Sequence, residues 1–195
     1  MSAIASFGFA FWSLNQLTDY LRRRKRGFAN QDDIKIEATL RSWLDKWRFK
    51  ISRDAQPNML FQFKAEDNLG CVMLVARPKD VNSFILIGGI WNIPPELETQ
   101  FNSMPDNMRM DMLENLQIEM LRLGVSYIGL DTPLKKVGIE IRVPCDENCT
   151  ESVFLREFQK ARYAYLLMTT IMRKSLRHAG YVPKPLTPDK EDSQT

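Results

Sequence analysis

The side chains best suited to catalysis or metal binding are few and far apart. Cys145 and Cys149 are separated by three residues, a spacing that can supply two ligands to a metal ion. A four-ligand site would also need Cys71 and His178, which are remote in the sequence. Since no second close pair of ligands exists, we interpret residues 145–149 as a polar loop with two incidental thiols and expect no metal site.

Acid–base catalysis finds little support in the sequence. The only histidine, His178, falls in the last turn of the last predicted helix, where it more often interacts with free carbonyl groups than acts as a base. Adjacent carboxylates occur at predicted turns and helix starts, namely Asp32-Asp33, Glu66-Asp67 and Asp146-Glu147. Solvation at a turn explains them. The glycine-rich phosphate and dinucleotide loops, the serine-hydrolase motif and the H-E-x-x-H zinc motif are absent. We therefore expect a protein that is not an enzyme and has no cofactor.

Methionine side chains recur every four residues along the predicted middle helix, with one leucine in the series. The candidate partner-binding residues are Met104, Met108, Met112 and Met120. Such a stripe is most often part of a core. It can also form an adaptable binding surface, because flexible thioether side chains repack around different partners. Both interpretations stay open, and the second predicts a partner protein or a homodimer.

Charge is concentrated near the N-terminus. The chain has a net charge of +3, but residues 31–182 hold equal numbers of basic and acidic residues. The excess comes from Arg22, Arg23, Arg24, Lys25 and Arg26, which follow an apolar stretch containing Phe7, Phe11 and Trp12. Residues 1–26 could lie on an anionic membrane surface. They could also pack as a helix on their own domain or on a partner subunit, which is the simpler interpretation. A neutral main domain makes nucleic acid an unlikely partner.

Composition indicates three segments and a compartment. We expect an aromatic and basic arm over residues 1–30, a single domain over residues 31–182 and a disordered tail over residues 183–195. Three cysteines are too few, and odd in number, for a secreted disulfide framework. The sequence therefore favours a cytoplasmic protein, peripheral at the membrane if the arm binds lipid.

Hydrophobic patterns predict the strands. Alternating apolar and polar residues indicate strands over 47–52 and 59–64, each with one buried face. Residues 71–76 and 84–90 are continuous apolar runs, which predict the central strands of a sheet. Two further strands are predicted over residues 125–130 and 137–143. The pair Gly88-Gly89 indicates a bulge or close packing.

Helices are predicted between and around these strands. They cover residues 34–46, 95–102, 104–123 and 150–179, with Ser103 and Asp106 placed like a capping box. The order α-ββββ-α(α)-ββ-α predicts an α+β fold, with an antiparallel sheet of about six strands packed against helices.

The chain also resembles a known group of proteins. The similarity lies in the segments Leu40–Phe49, Ile90–Leu97, Met120–Val125 and Phe154–Ala164. These resemble small prokaryotic, largely archaeal, proteins of unknown function with a fold like that of type III secretion chaperones. The resemblance implies a compact, often dimeric α+β domain that binds other polypeptides and has no catalytic site. The aromatic and basic arm departs from that pattern.

Overall fold

The computed structural model describes residues 33–80, 83–130, 133–146 and 149–180. The chain divides into two compact units, residues 1–36 and residues 37–195. Of the first unit, only residues 33–36 are among those described, and they form the first turn of a helix. The predicted arm and tail lie outside the described residues.

Ten helices and strands make up the described part of the chain. In chain order they are α1 (Asp33–Lys46), β1 (Lys50–Arg53), β2 (Met59–Glu66), β3 (Val72–Pro78), β4 (Phe84–Asn92), α2 (Pro95–Ser103), α3 (Asp106–Arg122), β5 (Ser126–Ile128), β6 (Lys136–Pro144) and α4 (Glu151–His178). This order confirms the predicted α+β class.

The six strands form one antiparallel sheet in the order β1-β2-β3-β4-β6-β5. The first four strands follow chain order because short turns connect them. After α2 and α3, strand β5 takes the edge and β6 returns to pair with β4. The two apolar runs are β3 and β4, which occupy the centre as the sequence predicted.

One face of the sheet is covered by helices, and we call it the covered face. Its middle row contains Phe63, Val75, Ile87 and Ile141, which are register partners from β2 to β6 and are all buried. Helix α4 packs against β4 and β6 and buries an apolar side. The ring of Phe158 on α4 meets Phe49 edge-on at a centroid distance of 5.0 Å. This layer is the hydrophobic core.

The double glycine in β4 allows close approach, as the sequence predicted. A Cβ atom on Gly89 would lie 2.6 Å from the ring of Tyr165, so the missing side chain makes room for α4. On the opposite face, a Cβ atom on Gly88 would lie 2.7 Å from the carbonyl oxygen of Ile139. Larger residues here would push the helix or the neighbouring strand away.

Two local predictions were wrong. The first strand begins at Lys50 rather than Trp47, because Arg48 takes a left-handed conformation with φ 61° and Trp47 is exposed in the turn. The predicted N-cap residue of α3 was also wrong. Pro105 occupies the N-cap of α3 and makes no side-chain cap hydrogen bond, while Ser103 Oγ donates to the carbonyl oxygen of Gln100 at 3.1 Å.

Candidate functional site

A shallow cleft of about 220 Å³ lies between α3 and the C-terminal end of α4. Its lining residues are Met104, Met108, Asp111, Met112, Asn115, Ser175 and His178. The cleft brings together the methionine stripe and the single histidine, which the sequence gave no reason to connect. It forms because α3 packs along α4, so side chains that are far apart in the chain, such as Met108 and His178, share one rim.

The four predicted partner-binding methionines differ in exposure. Met104, Met112 and Met120 are buried, and Met120 is fully so. Met108 is half-buried at the cleft. A buried side chain cannot touch a partner unless the helix moves, so three of the four residues belong to the interior in this conformation. Partner binding through the stripe remains a prediction, now centred on Met108.

His178, Ser175 and Asp111 line the same cleft, a combination of residue types found in hydrolases. Among the described residues, however, no side-chain hydrogen bond joins any two of them. His178 is exposed at the last position of α4. Catalysis would need an oriented nucleophile and base, and this geometry does not supply one.

Two of the three cysteines, Cys71 and Cys149, have raised thiol pKa values. Burial is the main cause that raises the pKa of Cys149 to about 11, and Cys145 and Asp146 add to it. Burial and the neighbouring Asp67 carboxylate raise the pKa of Cys71 to about 11. In the part of the chain that the structure describes, no group of three or more His, Cys, Asp or Glu residues is placed to hold a metal ion.

A partly buried ion pair fixes the β2–β3 hairpin to α4. Asp67 Oδ1 accepts hydrogen bonds from the backbone N–H groups of Leu69 and Cys71 at 2.8 and 2.9 Å. Its Oδ2 accepts from Arg162 Nε at 2.6 Å and pairs with Nη2 of the same side chain. Burial alone would raise the pKa of Asp67, but these hydrogen bonds outweigh it and hold the pKa below its usual value.

The second face of the sheet, which we call the open face, has a different character. Among the described residues, no helix lies across it. Its central row crosses all six strands in continuous register and consists of Ser52, Lys64, Leu74, Gly88, Glu140 and Ser126. Charged side chains on β2 and β6 therefore flank an apolar middle on β3 and β4.

Apolar side chains surround this row. Leu74 and Leu86 are half-buried on the two central strands, while Val72, Ile90 and Ile128 are more than a third exposed. Monomeric proteins seldom expose large contiguous apolar patches. The open face is therefore the feature of the described chain that most resembles a binding surface.

The residues of the open face were not identified from the sequence. The runs 71–76 and 84–90 are apolar at every position, which is typical of strands covered on both sides. In the structure the odd-numbered residues of these runs face the helices, and Val72, Leu74, Leu86 and Ile90 face away from them. The small residues Gly88 and Ala76, which lie on the open face, were the feature of the sequence that could have indicated which side of these strands is uncovered.

The remaining candidate residues lie outside the described chain. These are Phe7, Phe11, Trp12 and the basic cluster Arg22, Arg23, Arg24, Lys25 and Arg26. In the described ranges, no helix combines the length and apolar character that crossing a membrane requires.

Fold and surfaces together define a class: a small α+β protein whose antiparallel sheet is covered by helices on one side and presents an apolar face on the other. Among known families, the one described as "Uncharacterized conserved protein (DUF2299)" matches residues 36–172. The chain belongs to this family. The match spans most of α1 to most of α4. It includes the open face and five of the seven residues that line the cleft, while Ser175 and His178 lie beyond its end.

One solved structure has a similar fold. It is the crystal structure of an uncharacterized protein from Methanothermobacter thermautotrophicus, which superposes with a TM-score of 0.64 at 15% sequence identity. The match covers 72% of this chain and 98% of that chain. At this identity the likeness concerns the fold alone. No curated protein sequence matches the chain.

These comparisons bear on the predicted resemblance. The likeness to an uncharacterized family with an archaeal structural neighbour is confirmed. The likeness to type III secretion chaperones is not confirmed and stays a prediction.

Proposed function

We propose that this protein is a non-enzymatic interaction module, chaperone-like or adaptor-like, which binds a partner polypeptide or a second copy of itself. The observation that carries the proposal is the open face, where apolar residues of β3 and β4 lie between charged residues of β2 and β6. Removing apolar surface from water contributes about 25 cal/mol per Å² and would drive the association.

The charges around the patch would give the binding its orientation. Lys64 is about half exposed, and Glu140 pairs with Arg142 on the same strand at 2.9 Å. A polar rim around an apolar centre is the usual anatomy of a protein interface. We place the main contact on this face and a second contact at the cleft beside Met108.

Binding to an unfolded polypeptide tests the proposal. The full-length protein is titrated into fluorescently labelled, reduced and carboxymethylated α-lactalbumin, and the anisotropy is measured. We expect saturable binding that Leu74→Glu weakens at least about tenfold, because the charge would have to be desolvated in the interface. Leu121→Glu is the matched control, since Leu121 is an exposed leucine on the helical side of the molecule.

The contact at the cleft has its own test. Met108→Glu should weaken binding, whereas Met110→Glu makes the same change on the same helix at an exposed position outside the cleft. A change at the buried Met112 would disturb folding and is uninformative. If neither the unfolded polypeptide nor a second copy binds at micromolar concentrations, the interaction module is ruled out.

The alternative proposal is a peripheral membrane protein, or a membrane-complex subunit, held by residues 1–26. It is supported by the aromatic residues Phe7, Phe11 and Trp12 ahead of five consecutive basic residues. Full-length protein is sedimented with vesicles of phosphatidylcholine alone or with phosphatidylserine added. Membrane binding predicts that replacing residues 22–26 with glutamine abolishes the preference for anionic vesicles. Equal sedimentation of both proteins with both vesicles would contradict it.

A further inference from the structure

The open face is not merely apolar but complementary to itself. Its central row reads Lys64, Leu74, Gly88 and Glu140 from β2 across β3 and β4 to β6. The outer two residues, Lys64 and Glu140, carry opposite charges. Of the inner two, Leu74 has a large side chain and Gly88 has none, so each pair is complementary in charge or in size. The centre of this pattern lies between β3 and β4.

Rotation about an axis through this centre exchanges the members of each pair. If the two-fold axis runs parallel to the strands, β2 of one copy faces β6 of the other, and β3 faces β4. Lys64 then meets Glu140 of the second copy, and Leu74 lies over Gly88 of the second copy. Both contacts occur twice because the interface is symmetric.

The next row of the face repeats the arrangement. Gln62, Ala76, Leu86 and Arg142 are register partners across the same four strands. The same axis brings Leu86 over the small side chain of Ala76 and Gln62 over Arg142. In one row the larger side chain is on β3 and in the other it is on β4, so the two copies can interdigitate.

A different axis lacks this complementarity. A two-fold axis perpendicular to the strands would place Lys64 over Lys64 and Glu140 over Glu140 of the second copy. Like charges in direct opposition are destabilising, so the charge pattern selects the parallel axis.

The open face is also of the size that a dimer interface requires. The four long strands form a surface about 19 Å wide and roughly 25 Å long, before the edge strands and side-chain relief are added. A standard interface buries about 800 Å² on each partner, which is of the same order.

We propose that the open face binds a second copy of this chain, sheet against sheet, about a two-fold axis parallel to the strands, with Lys64 of each copy paired with Glu140 of the other. This rests on the proposed interaction module and specifies its occupant. Within one copy, Lys64 lies 3.9 Å from Asp54, which is a long contact, while Glu140 pairs with Arg142 at 2.9 Å and would have to share its carboxylate with the second copy's Lys64.

Charge reversal in the full-length protein tests the axis. Lys64→Glu places two acidic pairs in the dimer, and Glu140→Lys places two basic pairs there. Each change should raise the dimer Kd about tenfold, as measured by sedimentation equilibrium at low salt. The double variant Lys64→Glu/Glu140→Lys restores both opposite-charge pairs without changing the net charge, and its Kd should return to within about threefold of wild type.

The apolar contact is tested separately. Leu74→Glu should raise the dimer Kd at least about 100-fold, whereas Leu121→Glu on α3 should leave it unchanged. Circular dichroism and thermal unfolding establish that each variant is folded.

Three results would overturn the inference. The wild-type chain could remain a monomer at 200 µM or above, which would leave the open face to a different polypeptide or to residues outside the described ranges. The dimer could survive Leu74→Glu. The double variant could dimerise as weakly as the single variants, which would exclude this axis. Binding of the unfolded polypeptide is measured separately. The proposed interaction module would therefore still be supported by that binding if the protein did not dimerise.

Discussion

The two faces of the sheet are built from the same strands, yet they follow different packing rules. The covered face places Phe63, Val75 and Ile87 in one row, each with essentially no solvent exposure. The neighbouring row of register partners, Lys64, Leu74 and Gly88, points to the open face. The first row is buried beneath the helices, while the second places Leu74 and Gly88 between the charged residues Lys64 and Glu140.

The difference shows that the two faces are specialised for different kinds of contact. A core row gains most from large side chains that leave no cavity. A surface that binds and releases a partner needs apolar area in the centre and polar groups that stay hydrated when the partner is absent. Changes on the covered face should therefore affect folding, and changes on the open face should affect association.

The largest effect is expected on the covered face. Phe63 is fully buried, stacks near Phe61 and lies under the guanidinium group of Arg41 at 4.5 Å from the ring centre. Phe63→Ala should lower the free energy of unfolding by about 3–5 kcal/mol because it leaves a cavity in the core. Urea denaturation followed by circular dichroism measures this. A loss below about 1 kcal/mol would show that the covered face is not the core.

The next largest effect is expected when the reactivity of the native thiols is compared with that of a thiol introduced on the open face. With a pKa of about 11, Cys71 and Cys149 are almost entirely protonated at pH 8. Their labelling by a disulfide reagent should be about 100-fold slower than that of a free thiol, because only the thiolate reacts. Peptide mapping assigns the rates. Ser126→Cys places a cysteine on the open face, which should be labelled at nearly the rate of a free thiol in dilute protein. If Cys71 and Cys149 were labelled as fast as this introduced cysteine, the expected difference would be contradicted.

The ion pair that holds the hairpin against α4 should come third. Asp67→Asn removes charge-assisted bonds to Arg162 and weakens those to Leu69 and Cys71, so it should cost about 2 kcal/mol of unfolding free energy. Asn68→Asp is a matched change at an exposed residue of the same turn and should have little effect.

This pair also predicts a dependence on pH. The pKa of Asp67 is lowered in the folded state. The stabilisation that its charge gives to the folded protein is therefore complete above the ordinary carboxyl pKa of about 3.9, and it is lost as the pH falls through the lower pKa of the folded state. The stability difference between wild type and Asp67→Asn should therefore shrink as the pH falls below about 4. A difference that stays constant to pH 2 would contradict the assignment.

The smallest effect on folding is expected on the open face. Leu74→Ala should change the free energy of unfolding by about 1 kcal/mol or less in dilute protein, because Leu74 is only partly buried. At high concentration the difference should grow, since a dimer stabilises the folded state by mass action. Unfolding curves at two protein concentrations test both statements.

Much of the fold could be predicted because it depends on local patterns. Alternation along 59–64 and 137–143 marked strands with one buried side, and both are strands in the structure. Thr150 was expected to open the last helix, and its hydroxyl accepts a hydrogen bond from the N–H of Val153 at 3.4 Å. Errors occurred where a single backbone conformation decided the outcome, as at Arg48 and Pro105.

The candidate site was harder to predict because its parts are distant in the chain. Met108 and His178 share a cleft only because α3 lies along α4. Asp67 and Arg162 are 95 residues apart. From the sequence, Asp67 is interpreted as a solvated turn residue, and no prediction is made about Arg162. No local pattern carries information about such pairs.

The sequence by itself determined which residues form strands and helices and which of them share a face, since a period of two or of 3.6 is a property of neighbouring residues. Only the tertiary structure decided which face of the sheet the helices cover, because that depends on where α4 comes to lie. It also decided that β6 pairs with β4, which aligns Lys64, Leu74, Gly88 and Glu140 in one row. That row exists only after four strands, separated by helices and turns, have come into register.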